Sequence, residues 1–278
     1  MRLLALTIFA LVCFASNSLL TRAAIGGHYM DAWTFMLVRL VSGAITLTAL
    51  VWLRTAPSRG RGSWLMAAEL GGYAVFFTLA YLRLAAGPGA LLLFGSVQLT
   101  MFATAHGRGE RVSVAHWTGV LLALAGFLVL TLPGLSAPDP VGAVLMAGAG
   151  VCWAAYTVSG RGSTDPLAVT ADNFVRASGI AAVAILAVGL RGPYSPTGFA
   201  LAAASGAVAS GLGYAAWYAV LPSLPVWRAA TTQLSVPLLT AVGATVVLRE
   251  AVHVRLAAAM GLIVLGIWVT NSNQQRSQ

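Results

Sequence analysis

The chain is a succession of apolar runs, each about twenty residues long, separated by short clusters of Arg, Gly and Pro. A helix needs roughly 20 apolar residues to cross the hydrocarbon layer of a bilayer. Only 8% of the 278 residues are charged, while 59% are hydrophobic. A water-soluble domain carries about 25% charged residues, so this chain cannot clothe itself in solvated groups and part of its solvent must be lipid. With short loops, the length holds about ten spans and no additional soluble domain.

The runs place candidate helices at 3–21, 31–53, 64–85, 88–106, 113–132, 139–159, 167–190, 197–221, 226–248 and 252–271. Breaks are clear at Arg54–Gly62, Gly107–Arg111, Pro133–Pro140, Gly160–Pro166 and Arg191–Pro196. They are poor at Ala85–Gly89 and Leu221–Val226, where the connections must be tight. The expected fold is therefore an all-α polytopic membrane protein.

An internal repeat organises these helices. A shift of 139 residues superposes Val12, Cys13, Ala15 and Arg22 on Val151, Cys152, Ala154 and Arg161, with Phe14 meeting Trp153. A shift of 137 carries Arg39, Arg54, Phe77 and Tyr81 onto Arg176, Arg191, Tyr214 and Tyr218. A shift of 140 carries Glu110, Val112, Val114 and Gly126 onto Glu250, Val252, Val254 and Gly266. The expectation is two five-helix units, 1–134 and 135–278. Because five is odd, the copies enter the membrane in opposite orientations, the inverted-repeat design of secondary transporters. The first apolar run resembles a secretory signal in composition, but its match to a mid-chain span argues that it is retained as the first helix.

Charge gives sidedness. All sixteen basic residues are Arg. With the N-terminus inside, the first half places Arg2, Arg54, Arg59, Arg61, Arg108 and Arg111 on the cytoplasmic side and only Arg22 and Arg83 outside. Both termini are then cytoplasmic. The arginines sit singly at the ends of runs, where lipid headgroups account for them, so the net charge of +9 does not point to nucleic acid.

Several enzyme and pump classes are excluded. Without Lys there is no Walker A loop and no Schiff base for pyridoxal phosphate or retinal. His28, His106, His116 and His253 are expected in connections, leaving no histidine for an intramembrane dyad or metal cluster. Cys13 and Cys152 read as small core residues. No catalytic residue, metal site or cofactor is expected.

The chemistry-bearing residues inside spans are aromatic or amide. The third helix carries Tyr73, Phe77 and Tyr81 on one stripe, and the eighth carries Tyr214, Trp217 and Tyr218. Trp153 and Tyr156 lie in the sixth, at the repeat position of Asn17 in the first. Such stripes are equally compatible with ordinary helix packing. Trp33, Trp52, Trp64, Trp117, Trp227 and Trp268 fall at helix ends and form an interfacial belt. Asn17, Gln98 and Gln233 are polar groups that must find partners in the membrane. Pro237, four residues after Gln233, frees a carbonyl there, which makes either a hinge or a plain kink. Asp172 and Arg176 are spaced to pair on one helix face, as a structural or coupling ion pair. Arg39 has no such partner in sequence, and either approaches the interface or touches a neighbouring helix. Glu110 and Glu250 fall at helix boundaries, where a cap or loop salt bridge is expected.

Phe14-Ala15-Ser16-Asn17, Arg39, Glu110-Arg111-Val112-Ser113 followed by Gly119 and Gly126, and Pro237 with Glu250 and Gly266 resemble the two EamA repeats of the drug/metabolite transporter superfamily. The resemblance spans essentially the whole chain. It implies ten helices, both termini in the cytoplasm of a bacterial-type inner membrane, and usually export of metabolites or amino acids. One departure is Val97-Gln98 where the second copy has Pro237, so no symmetric hinge is implied in the fourth helix. The resulting expectation is a monomeric alternating-access carrier of small molecules. Asn17, Gln98, Gln233 and Ser235 hydrogen-bond the solute, while Tyr81, Trp153, Tyr156, Tyr214 and Tyr218 hold its apolar part. The aromatic interior favours amino acids, including aromatic ones. Nucleobases, sugars, drugs or a channel-like activity stand as alternatives.

Overall fold

A computed structural model describes residues 2–54, 60–107, 114–131, 137–160, 163–189, 192–223, 232–233 and 235–274. The described residues form helices joined by short non-helical connections. In chain order the helices are α1 (Arg2–Gly26), α2 (Ala32–Trp52), α3 (Trp64–Ala80), α4 (Ala86–Gly107), α5 (Val114–Thr131), α6 (Pro140–Ser159), α7 (Pro166–Val188), α8 (Pro196–Val220), α9 (Ser235–Leu248) and α10 (Val254–Gln274). Six of them, α1, α2, α4, α6, α7 and α8, are long and apolar enough to cross a membrane, and the other four are shorter and apolar. Among the described residues there is no strand. A single antiparallel bridge joins Met30 to Tyr194.

Local chemistry sets the helix starts. Asp31, Ser63, Asp139, Asp165 and Ser195 each accept a backbone N–H from the first turn of the helix that follows. Pro140, Pro166 and Pro196 stand at the start of α6, α7 and α8, where the missing N–H costs nothing. Two helices change pitch, α8 in its middle and α9 at its end. Residues Ser205–Leu212 of α8 and Ala244–Leu248 of α9 are wound as π-helix, the wider turn that inserts residues into an α-helix.

The exterior is that of a lipid-facing protein. Trp52, Leu186 and Val254 are each more than four-fifths exposed, and Val246 is 74% exposed. Water would not tolerate so extended an apolar surface. Trp52, Trp64, Trp117 and Trp268 are exposed at or near helix ends, as a belt requires. Trp227 lies outside the described residues.

Packing follows a simple scheme. α2 packs on α7, α4 on α9 and α5 on α10; α1 packs on α8 and α9, while α6 packs on α3 and α4; and α2 packs on α8 as α7 does on α3. Exchanging each helix for the one five places along maps this set onto itself. α2 and the π segment of α8 approach closely. There a Cβ on Gly206 would collide with the Arg39 carbonyl oxygen and the Ser42 hydroxyl, so only glycine fits.

Three sequence expectations are corrected. α3 ends at Ala80, and Tyr81–Leu84 form a turn rather than a fifth helical turn. That turn is held by the Arg22 guanidinium, which donates to the Tyr81 carbonyl at 3.0 Å, and by Gly89, whose Cβ would strike the Tyr81 ring at 2.5 Å. His106 and His116 lie in the last turn of α4 and the first turn of α5, not in connections. His106 packs edge-on against Trp117, with ring centroids 5.9 Å apart. His106 stands just before Gly107 and Arg108 and His116 is the third residue of α5, so each belongs to the end turn of an apolar run rather than to the connection beyond it. Finally, α1 runs to Gly26, five residues further than the apolar run suggests.

Candidate functional site: an aromatic cluster around a small cavity

Five helices meet around Trp153. From α6, its ring reaches Tyr73 of α3 at 5.1 Å, Tyr214 of α8 at 5.2 Å, Tyr156 at 5.8 Å and Phe14 of α1 at 6.5 Å, all centroid to centroid. Phe14 further contacts Tyr214 and Trp217 edge-on at 5.7 and 5.8 Å. These are the separations and tilts at which aromatic quadrupoles attract. The stripes of α3 and α8 thus meet through Trp153 rather than directly.

Phe14, Asn17, Ser18, Tyr73, Phe77, Leu93, Phe94, Trp153 and Tyr214 enclose a cavity of about 20 Å³. That is room for a single water, far below the roughly 300 Å³ or more of a small-molecule pocket. A solute fits there only if the surrounding helices move apart.

The polar edge of the cavity is one chain of hydrogen bonds. Ser205 Oγ donates to Asn17 Oδ1 at 2.6 Å, Asn17 Nδ2 donates to the Tyr73 hydroxyl at 3.3 Å, and Arg39 Nη2 donates to the same hydroxyl at 3.2 Å. The buried amide is therefore satisfied from both sides, as a low-dielectric environment demands. The Ser205 partner comes from the π segment of α8.

The other residues singled out from the sequence are distributed unevenly. Asn17, Trp153 and Tyr214 stand on the cavity wall. Tyr156 is fully buried one step behind Trp153, exchanging hydrogen bonds with Thr170 and Asn173 of α7. Tyr218 is partly buried against the same core. Tyr81 is buried at the α3 end, with its ring against Phe77 at 4.8 Å, outside the cavity wall. Gln98 is half-buried on α4, one turn beyond Phe94. Ser235 opens elsewhere, onto an apolar groove of about 820 Å³ between α9 and α10 lined by residues such as Leu238, Val242, Met260 and Trp268. That groove is larger than the aromatic cavity but offers a solute little polar contact, as expected of a surface wetted by lipid tails. Gln233 is half-buried, and Pro237 lies buried in the first described turn of α9. Glu110 lies outside the described residues. Its repeat partner Glu250 accepts the Ala86 N–H at 2.8 Å and pairs with Arg22 at 3.5 Å, acting as both cap and salt bridge.

Asp172 and Arg176 form their ion pair at 3.0 Å. Asp172 also accepts the Gly62 N–H at 2.8 Å, and the guanidinium lies 4.9 Å over the Trp64 ring. The pair ties α7 to the start of α3. Asp172→Asn is expected to lower stability by about 1 kcal/mol, the scale of a part-exposed pair, and to leave flux unchanged. Thermal melting and uptake check this together; a severalfold loss of flux at unchanged melting temperature would make the pair a coupling element.

Sequence reasoning omitted Arg39, Ser205, Phe14 and Tyr73 from the site. Tyr73 was legible as the first member of the α3 stripe, and Phe14 as the repeat partner of Trp153. Ser205 carried no signal, because its role depends on the local pitch of α8. Among the described residues, no three of His, Cys, Asp and Glu come together to hold a metal ion.

The helices and the buried aromatic centre define a polytopic membrane protein. The model of the EamA-like transporter family matches residues 140–272. An uncharacterized protein of Pseudomonas aeruginosa is 48% identical over 266 residues, 95% of this chain and 92% of that one. An uncharacterized transporter of Archaeoglobus fulgidus is 24% identical over 203 residues, 71% of this chain and 72% of its own. A solved crystal structure with 21% sequence identity covers 99% of this chain and 98% of its own, with a TM-score of 0.73; at that identity the likeness speaks for the fold alone. Residues 140–272 carry an EamA-like transporter domain, of the drug/metabolite transporter superfamily.

Proposed function

We propose that this transporter exports small metabolites, amino acids including aromatic ones being the favoured class, by alternating access through the aromatic cavity. It works as a monomer of ten spans in two inverted five-helix units, 1–134 and 135–278, in a bacterial-type inner membrane with both termini cytoplasmic. The exchange symmetry of the helix packing supports the two-unit reading. The observation that carries the function is the cavity itself. It has an aromatic wall and an amide–hydroxyl edge, and it lies where α1, α3, α4, α6 and α8 converge.

In this scheme Trp153 and Tyr214 hold the apolar part of the solute and Asn17 its polar end. Tyr81, Tyr156 and Tyr218 back the wall, and Pro237 with Gln233 and Ser235 provides the flexible turn of α9. Gln98 lies along the path next to Phe94. Gln98→Ala is expected to lower flux severalfold at normal expression, and unchanged flux would take Gln98 out of the path.

The test is uptake of labelled phenylalanine, leucine and alanine by proteoliposomes of the purified protein, with nucleobases and sugars as competitors. Saturable uptake with competition among amino acids alone is expected. Uptake of none of them, with a competitor transported instead, would discard the amino-acid assignment.

A further inference from the structure

We propose that Arg39 is the anion-binding group of the solute path, so that the transported solute carries a carboxylate or another small anionic group. The inference rests on the carrier reading above and narrows its substrate.

Arg39 is 2% exposed, at the third turn of α2, and is among the largest fully buried side chains. A guanidinium carries five N–H donors and keeps its charge in a protein. Here Nη2 donates to the Tyr73 hydroxyl, and the rings of Tyr73 and Phe77 stand 5.4 and 4.8 Å from Cζ. Nε and Nη1 are buried with no hydrogen-bond partner. A buried charge held only by two ring faces and one phenol is far from compensated.

No carboxylate among the described residues answers it. Glu69 accepts from Ser159, and Asp139, Asp165, Asp172 and Glu250 pair with Arg83, Arg54, Arg176 and Arg22. Asp31 caps α2, eight residues earlier on the same helix, about 12 Å along its axis. The contrast with the second repeat is direct. Arg176 has Asp172 one turn before it, whereas the matching position before Arg39 is Phe35, fully buried and apolar.

The location fits a solute. Arg39 and Asn17 donate to one and the same Tyr73 oxygen, and Asn17 and Tyr73 both line the cavity. The guanidinium therefore stands one hydrogen bond behind the cavity wall. When the helices part and the Tyr73 phenol swings aside, the open nitrogens face the incoming solute. A carboxylate then supplies the missing counter-charge, with the solute's apolar part against Trp153 and Tyr214.

The test uses the purified full-length protein in detergent and reads thermal melting and tryptophan fluorescence. The probes are 3-phenylpropionate and phenyl phosphate, which are anions without an amine, and 2-phenylethylamine, the amine without an anion. Both variants Arg39→Gln and Arg39→Lys are compared with the parent. The parent is expected to melt higher with at least one anion, saturably, and not with the amine; which anion acts separates carboxylate from phosphate chemistry. Arg39→Gln is expected to raise the resting melting temperature, because an uncompensated charge is removed, and to weaken anion binding tenfold or more. Arg39→Lys keeps part of the response. The proposal is overturned if no anion stabilises the parent, if the amine binds as well as the anions, or if Arg39→Gln melts lower at rest and binds anions normally. Saturable anion binding without any carrier-type flux would instead overturn the carrier reading and leave the anion site standing.

Discussion

Trp153→Ala is expected to reduce solute flux at least tenfold, normalised to folded protein in the membrane, and Trp153→Phe to restore much of it. The ring touches four aromatic neighbours from three other helices and its own. Each such pair contributes about 0.5–1.5 kcal/mol beyond simple burial, and a factor of ten in affinity corresponds to about 1.4 kcal/mol. Losing one ring face toward the solute therefore suffices for a tenfold effect. The resting protein loses packing as well, so its melting temperature falls, and the Phe variant separates the two causes because it keeps a ring at the centre of the cluster. Uptake by proteoliposomes containing matched amounts of folded protein makes the measurement. Normal flux in the Ala variant would remove Trp153 from the solute path.

Gly206→Val should abolish folding in the membrane or nearly so, and Gly206→Ala should lower stability by roughly 1–3 kcal/mol, the usual cost of overpacking. At this point α2 and the π segment of α8 approach so closely that the obstructing atom is a backbone carbonyl, that of Arg39. A side chain could rotate away; a carbonyl fixed in a helix moves only with the whole of α2. Because Arg39 and Ser205 flank this contact, any separation also strains the Asn17–Tyr73 hydrogen-bond chain. Gly71→Ala and Gly261→Ala are the controls, since nothing lies within 4 Å of a Cβ at either position, and both are expected within about 0.5 kcal/mol of the parent. Size-exclusion profiles and melting curves of the four variants give the answer. A Gly206→Val protein that elutes and melts like the parent would show that α2 and α8 do not pack this way.

The helices were largely legible because two independent signals agree along the chain: apolar runs of membrane length, and Asp, Ser or Pro at their starts. α2, α6 and α8 fall within a residue of the boundaries read from hydropathy. The boundaries went astray where tertiary contacts decide them. The Arg22 guanidinium, reaching across from α1, holds the turn in which α3 stops, and the π segments of α8 and α9 depend on neighbours rather than on local composition.

The site was legible by residue type more than by position. Asn17, Trp153 and Tyr214 stand together, whereas Tyr81 and Ser235 point into other surroundings although each has the right chemistry and depth. Helical periodicity gives the face of a helix but not the neighbour that the face meets. Arg39 had left a trace, the absence of an acidic residue one turn away where Arg176 has Asp172, but its burial without a counter-charge among the described residues follows only from three-dimensional packing. The small volume of the cavity follows from side-chain packing and has no counterpart in the sequence.

The most direct test of the carrier account is uptake of labelled phenylalanine into proteoliposomes, with and without unlabelled phenylalanine trapped inside. The account predicts a rate that saturates with external solute and rises severalfold when solute is present inside, because the loaded site returns faster than the empty one. A rate that grows linearly with concentration and ignores the trapped solute would contradict alternating access and leave a channel in its place.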